Sequence, residues 1–221
     1  YKNEGFYYSS YDKPKGSELS AKTDQHKLYF HKLGTSQKDD KVIFGGDLKR
    51  RYVGGYVTED DHFLIITAAN STYGNELYIK DLTKPNSPIV TIVDNFNTAN
   101  TIIENEGSKL FIETDYNAPN GRVVTVDAAN PKPENWKDFI KETENVLALS
   151  TGGGYFFANY TKDAVSLVLQ YDYNGKLVRE IKLPAVGTAG GFGAKKEEKI
   201  LYYSFTNYTT PGSIFSFEPK S

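Results

Sequence analysis

Three histidines, His26, His31 and His62, are the scarcest side chains in this chain that could hold a metal or move a proton. His26 and His31 lie five apart in a strand-like run, so they project to opposite faces and cannot share an ion. His62 ends Glu59-Asp60-Asp61-His62, a hairpin tip that reads as a calcium or zinc site or as a solvated turn. A serine nucleophile needs a base and a strained elbow. No Gly-x-Ser-x-Gly occurs, and three scattered histidines make no triad. The absence of cysteine excludes a thiolate nucleophile, a disulfide framework, a thiolate zinc site and an iron–sulfur cluster. No catalytic residue, metal ligand or cofactor site emerges from these residues.

Glycine clusters could cradle a phosphate: Gly54-Gly55, Gly152-Gly153-Gly154 and Gly190-Gly191. Gly191-Phe192-Gly193 is followed by Ala194-Lys195-Lys196, which completes neither a dinucleotide fingerprint nor a P-loop. The competing reading is structural: inner strands that crowd at an axis need small residues. Asn70-Ser71-Thr72, Asn159-Tyr160-Thr161 and Asn207-Tyr208-Thr209 match the glycosylation acceptor pattern, which chance supplies in a chain rich in Asn and Thr. Trp136, the single tryptophan, reads as a ligand platform or as a core or interface residue.

With 26 basic and 28 acidic residues the net charge is -2, which disfavours an electrostatic nucleic-acid binder. The longest apolar run is far too short to span a membrane as a helix, and no signal peptide is visible. The chain starts at Tyr1 and contains no methionine, so the expectation is a piece of something longer.

The elements that must position these residues are strands. Tyr and Phe are abundant, at 17 and 13 residues, and no window carries a sustained helical stripe. The best helical candidate, Asn135–Glu144, is short and reads equally as an edge strand. Asn174-Gly175, Asn105-Glu106-Gly107 and Asn120-Gly121 suit type I′ hairpin turns.

An internal period decides the fold class. Four alternating runs end in an acid: Asp81, Asp127, Asp172 and Glu218, spaced by 46, 45 and 46 residues. A preceding run begins at Phe63, Leu110, Phe156 and Leu201, spaced by 47, 46 and 45. Leu28-Tyr29-Phe30-His31-Lys32 is an earlier copy with lysine in the acid's place. Four strands in about 45 residues are the signature of an all-β β-propeller. Tyr56–Asn95, Phe96–Glu144 and Asn145–Pro184 read as four-stranded blades. Ala185–Ser221 lacks an outermost strand and Gly5–Asp47 an innermost one, giving about five consecutive blades with both terminal ones incomplete. An acid repeated in every blade serves the blade, by bonding at a turn.

Gly5-Phe6-Tyr7-Tyr8-Ser9-Ser10-Tyr11, followed by His26-Lys27-Leu28-Tyr29-Phe30-His31-Lys32-Leu33-Gly34-Thr35, resembles the prolyl oligopeptidase family. The likeness continues through Val53-Gly54-Gly55, Glu76-Leu77-Tyr78-Ile79-Lys80-Asp81-Leu82 and Val93-Asp94-Asn95-Phe96 to Pro211-Gly212-Ser213-Ile214. It implies the central part of a seven-bladed propeller that gates a serine endopeptidase cutting short peptides after proline. The triad would lie in an α/β-hydrolase domain outside this chain, which alone should be inactive. Partners implied are proline-containing oligopeptides and that hydrolase domain, with no nucleic acid and no membrane. Val53 matches the family's apolar substrate-pocket residue. Better-known members also carry a substrate-binding arginine in the next inner loop. Here that loop, Thr67-Ala68-Ala69-Asn70-Ser71-Thr72, has none, although Arg50 and Arg51 are near in sequence. A periplasmic location is expected, with the cytoplasm as alternative. The rival reading is a stand-alone ligand- or protein-binding propeller scaffold.

Overall fold

The computed structural model describes residues 1–13, 16, 20 and 24–220. Ser221, the last residue of the unit beginning at Ala185, lies outside them. The described chain is all-β apart from single 3-10 turns at Gln37–Asp39 and Pro133–Asn135. None of the described helices is long and apolar enough to cross a membrane. Two compact units form, one from Tyr1–Leu110 with Val126–Trp136, the other from Phe111–Thr125 with Lys137–Ser221.

In the first unit, β1 (Gly5–Tyr11), β2 (His26–Lys32) and β3 (Lys41–Phe44) make a three-stranded antiparallel sheet. Then β4 (Tyr52–Val57), β5 (Phe63–Ala69), β6 (Glu76–Asp81) and β7 (Ile89–Val93) make a four-stranded one. This second sheet starts at Tyr52, ahead of the Tyr56 that the period suggested. On β5, Phe63, Leu64, Ile65 and Ile66 are all buried, so both faces of the strand are covered. Leu64, Ile66 and Ala68 join Leu28, Phe44, Val53 and Tyr78 in one core cluster. Gly55 is required here by contact: a Cβ on it would lie 2.6 Å from Leu28 Cδ2, and Leu28 is itself fully buried. The need for a small residue thus falls on Gly55, through a neighbouring side chain, and not on Gly54, where a Cβ would meet only the Thr67 hydroxyl at 3.4 Å.

The third sheet orders β8 (Asn100–Glu106), β9 (Lys109–Thr114), β10 (Arg122–Asp127) and β11 (Lys137–Ile140). Strand β11 occupies the candidate helix, so the edge-strand alternative is the correct one. Trp136 sits at its start, half-buried, and donates its indole N–H to the Pro131 carbonyl at 3.0 Å.

In the second unit, β12 (Val146–Gly152), β13 (Tyr155–Lys162), β14 (Val165–Tyr171) and β15 (Leu177–Glu180) precede a three-stranded sheet of β16 (Thr188–Gly191), β17 (Leu201–Thr206) and β18 (Ser213–Phe217). Strand alternation sends Phe156 and Phe157 to opposite faces. Phe156 packs with Phe111, Phe139 and Tyr173 at ring separations of 4.7–5.0 Å. Phe157 joins Phe192 and Phe217 at 5.7 and 5.6 Å. Glu113 on β9 is largely buried; burial pushes its carboxyl up to about 7, although the Leu149 amide donates to it.

The repeated acids close turns. Asp81, Asp127 and Asp172 each accept, through Oδ1, the backbone N–H two residues on, at 2.9, 2.8 and 2.9 Å. The turn types differ from expectation. Gly175, Gly121 and Gly107 all have positive φ, but Asn174, Asn120 and Glu106 do not. These are therefore not type I′ turns. At Asp172–Gly175 the Gly175 N–H closes the turn onto the Asp172 carbonyl at 3.0 Å, which suits a type I turn ending in a left-handed glycine. The Asp172 carboxylate, taking the Asn174 and Lys176 amides, favours this form.

Candidate functional site

Register sets out one cavity in the first unit. Strands β4 and β5 pair Tyr52 with Ala69, Val53 with Ala68 and Gly54 with Thr67. Opposed residues share a face, and successive residues alternate. The Val53–Ala68 pair thus enters the core, where Val53 is 3% exposed. The flanking pairs, Tyr52–Ala69 and Gly54–Thr67, line a cavity of about 320 Å³. Its remaining walls are the Ser71–Asn75 turn and Ala99–Thr101 at the start of β8. Val53, assigned by resemblance to a substrate pocket, lies directly behind this cavity's lining.

Two asparagines hold the walls together. Asn75 Nδ2 donates to the Asn100 carbonyl at 3.0 Å, and the Asn100 amide donates to Asn75 Oδ1 at 2.9 Å. Gly74, just before Asn75, has φ +73°, and a Cβ there would strike the Phe96 carbonyl oxygen at 1.8 Å.

Arg50 is committed to structure. Its Nε and Nη2 fork onto the two oxygens of Glu76 at 2.6 and 2.7 Å, and the Glu76 side chain is 4% exposed. The bonds to Glu76 make this guanidinium more basic than a free one. Beside it, burial and then the Glu76 charge push the Tyr78 hydroxyl up to about 12. Arg51 is exposed, with its guanidinium carbon 5.5 Å from the Tyr52 ring centre. His26 also meets Tyr52, 5.9 Å away edge-on, its basicity lowered by burial and its ring stacked on Tyr11.

The three histidines are not brought together. His31 Nδ1 bonds Asp40 at 2.8 Å, and Asp40 also accepts the Tyr8 hydroxyl at 2.7 Å. His62 lies flat on Phe63, 3.7 Å from an Asp81 oxygen. Among the described residues no group of three or more metal-binding side chains is suitably placed. The cavity offers hydroxyls, amides and an aromatic face, and none of the three histidines lines it. Tyr52 and the Asn75–Asn100 pair were missed in the sequence. Their partners are 17 and 25 positions away in the chain, and no short motif marks them.

A family model described as prolyl oligopeptidase, N-terminal beta-propeller domain, matches residues 1–221. The chain belongs to the prolyl oligopeptidase family. Its five sheets are accordingly blades of that family's β-propeller domain. A prolyl endopeptidase of Elizabethkingia miricola is 59% identical over 99% of this chain and 31% of its own length. One of Elizabethkingia meningoseptica is 57% identical over 97% of this chain and again 31% of its own. The chain thus spans about a third of these curated relatives. A solved structure from a structural and mechanistic study of two prolyl endopeptidases matches with TM-score 0.85 and 26% identity, covering 99% of this chain and 32% of that one. Prolyl oligopeptidase B of Galerina marginata, bound to a 35mer substrate, shares the fold at TM-score 0.85 and 24% identity.

Proposed function

We propose that this chain is the substrate-gating propeller portion of a serine endopeptidase that cleaves short peptides after proline. The observation that carries the reading is the family match over the whole chain. The propeller would restrict entry to short peptides, and an α/β-hydrolase domain of the same protein would supply the serine, aspartate and histidine. The cavity at Tyr52 would meet the peptide upstream of the proline. Val53 would act there by anchoring the strand that presents Tyr52 and Gly54, with the Arg51 guanidinium 5.5 Å from the Tyr52 ring centre. A periplasmic location belongs to the same reading, consistent with a chain that has no cysteine to protect.

The test is an assay of the intact protein on a chromogenic Gly-Pro substrate, a longer proline-containing peptide and a folded protein. Cleavage of both peptides but not the folded protein supports gating. No cleavage after proline overturns the reading. Tyr52→Ala should raise KM for the longer peptide more than for the shortest one, and an equal effect on both would remove the cavity from the peptide's path. Osmotic-shock fractionation of cells checks the location.

A further inference from the structure

Tyr52 lines the peptide-facing cavity while 43% exposed, so its ring needs neighbours to fix its pose. Its ring contacts are the Arg51 guanidinium at 5.5 Å and the His26 ring at 5.9 Å. Arg51 is exposed, whereas His26 is held by three contacts. Its backbone N–H donates to the Arg50 carbonyl at 2.9 Å, it pairs with Tyr11 across β1 and β2, and its ring stacks on the Tyr11 ring at 5.1 Å. Arg50 in turn is fixed by its fork onto Glu76. His26 thus ties the first sheet to the strand that carries Tyr52.

The side chains against the His26 ring are neutral. Ser9 Oγ lies 3.5 Å from Nδ1, and Tyr11 and Tyr52 supply the ring contacts. The charged groups around it are otherwise engaged. Lys27 pairs with Asp12 at 2.6 Å and is further attracted by Asp47, and Arg50 pairs with Glu76. Arg51 already brings one positive charge to the Tyr52 ring. An imidazolium here would lose hydration and add a second cation at Tyr52, so protonation draws the ring out toward water. Burial lowers the basicity of the ring, which is neutral at pH 7 and gains its proton only below the usual 6.5.

We propose that His26 is a positioning residue for the peptide cavity: its neutral ring holds Tyr52 in the cavity wall, and its protonation releases Tyr52. His26 does not line the cavity and acts through Tyr52. The inference rests on the reading above, in which this cavity meets the peptide upstream of the proline. Acidification should then weaken the hold on longer peptides and spare the shortest ones, which end before Tyr52. The fold thereby carries a proton-operated limit on substrate length.

The test is the ratio of KM for a longer proline-containing peptide to KM for the chromogenic Gly-Pro substrate, followed on the intact protein from about pH 8 down to about pH 5. The short substrate carries the pH dependence of the chemical step, so the ratio isolates the cavity. It should be level near neutrality and rise about two- to tenfold as His26 gains its proton, the effect of losing one aromatic pair. His26→Phe keeps a ring against Tyr11 and Tyr52 and should hold the ratio low and level. His26→Ala should hold it high throughout. A level ratio in the natural protein, a persisting rise in His26→Phe, or a low ratio in His26→Ala would each overturn the proposal. A second readout needs no turnover. In fluorine spectra of protein carrying 3-fluorotyrosine, the Tyr52 resonance, assigned by its loss in Tyr52→Phe, should shift below pH 6.5 and stay still in His26→Phe. An unmoved Tyr52 resonance overturns the proposal whether or not peptides are cleaved. A resonance that shifts in a protein cleaving nothing after proline supports the coupling of His26 to Tyr52 and overturns only the function proposed above.

Discussion

Strands β5 and β17 occupy the same place in the 45-residue period, yet they are buried differently. On β5 the run from Phe63 to Ile66 is buried without a break. On β17 burial alternates residue by residue, with Leu201, Tyr203 and Phe205 inside and Tyr202, Ser204 and Thr206 outside. The sequences already differ to match. A strand covered on both faces reads as a continuous apolar run, and one covered on a single face reads as an alternation. The period identifies the strand; the composition of its odd and even positions reports how many neighbours it has.

The sharpest way to break this comparison is a charge on β5. Ile65→Asp places a carboxylate at a fully buried position and should cost more than about 4 kcal/mol, enough to abolish soluble expression or the urea transition. Next in size is Arg50→Ala, which strands the buried Glu76 at the head of β6, beside β5. The expected loss is about 3–5 kcal/mol in urea denaturation, and adding Glu76→Gln should recover most of it.

A smaller effect lies in the second unit. The Glu113 carboxyl is held near 7 in the folded chain and titrates near 4.5 when unfolded, so the folded form binds more protons between these values. Stability should be fully present below about pH 4.5 and fall as pH rises through about 7, by roughly 2–3 kcal/mol. Glu113→Gln should flatten that dependence in melts run from pH 5 to 8. A stability that rises over this window by a Glu113-dependent amount would contradict the burial argument. Smallest of all is Tyr202→Ser on the open face of β17, where Tyr202 is 60% exposed; the change should stay within about 0.5 kcal/mol. A larger loss in the intact protein would mean that something covers this face there.

Much of the fold was legible because repetition amplifies weak signals. The acids at Asp81, Asp127 and Asp172 marked strand ends, and their recurrence correctly argued for a turn-closing role. What one position decides alone was less legible. The turn glycines were found, but the turn type was not, because the Asp172 carboxylate and its two amides favour another geometry than the Asn-Gly dipeptide suggests. The start of the second sheet was placed late because Tyr52 and Val53 precede any alternating run. Around the cavity, Val53 was found by resemblance, but which way it faces depends on its register with Ala68. The Arg50–Glu76 fork joins residues 26 positions apart, a pairing that only folding reveals.

The crowding of Gly55 by Leu28 bears on how such a chain could be rearranged. Each glycine notch is cut for a different neighbour. Gly55 receives the Leu28 methyls, Gly152 comes up against the Ala194 amide, and Gly153 meets the Pro219 ring. Repeats that look interchangeable in sequence are therefore keyed, each to one adjoining module. Moving a blade away from its neighbour would part each of these glycines from the group that fills its notch. The order of the modules is written in their contacts as firmly as in the chain that joins them.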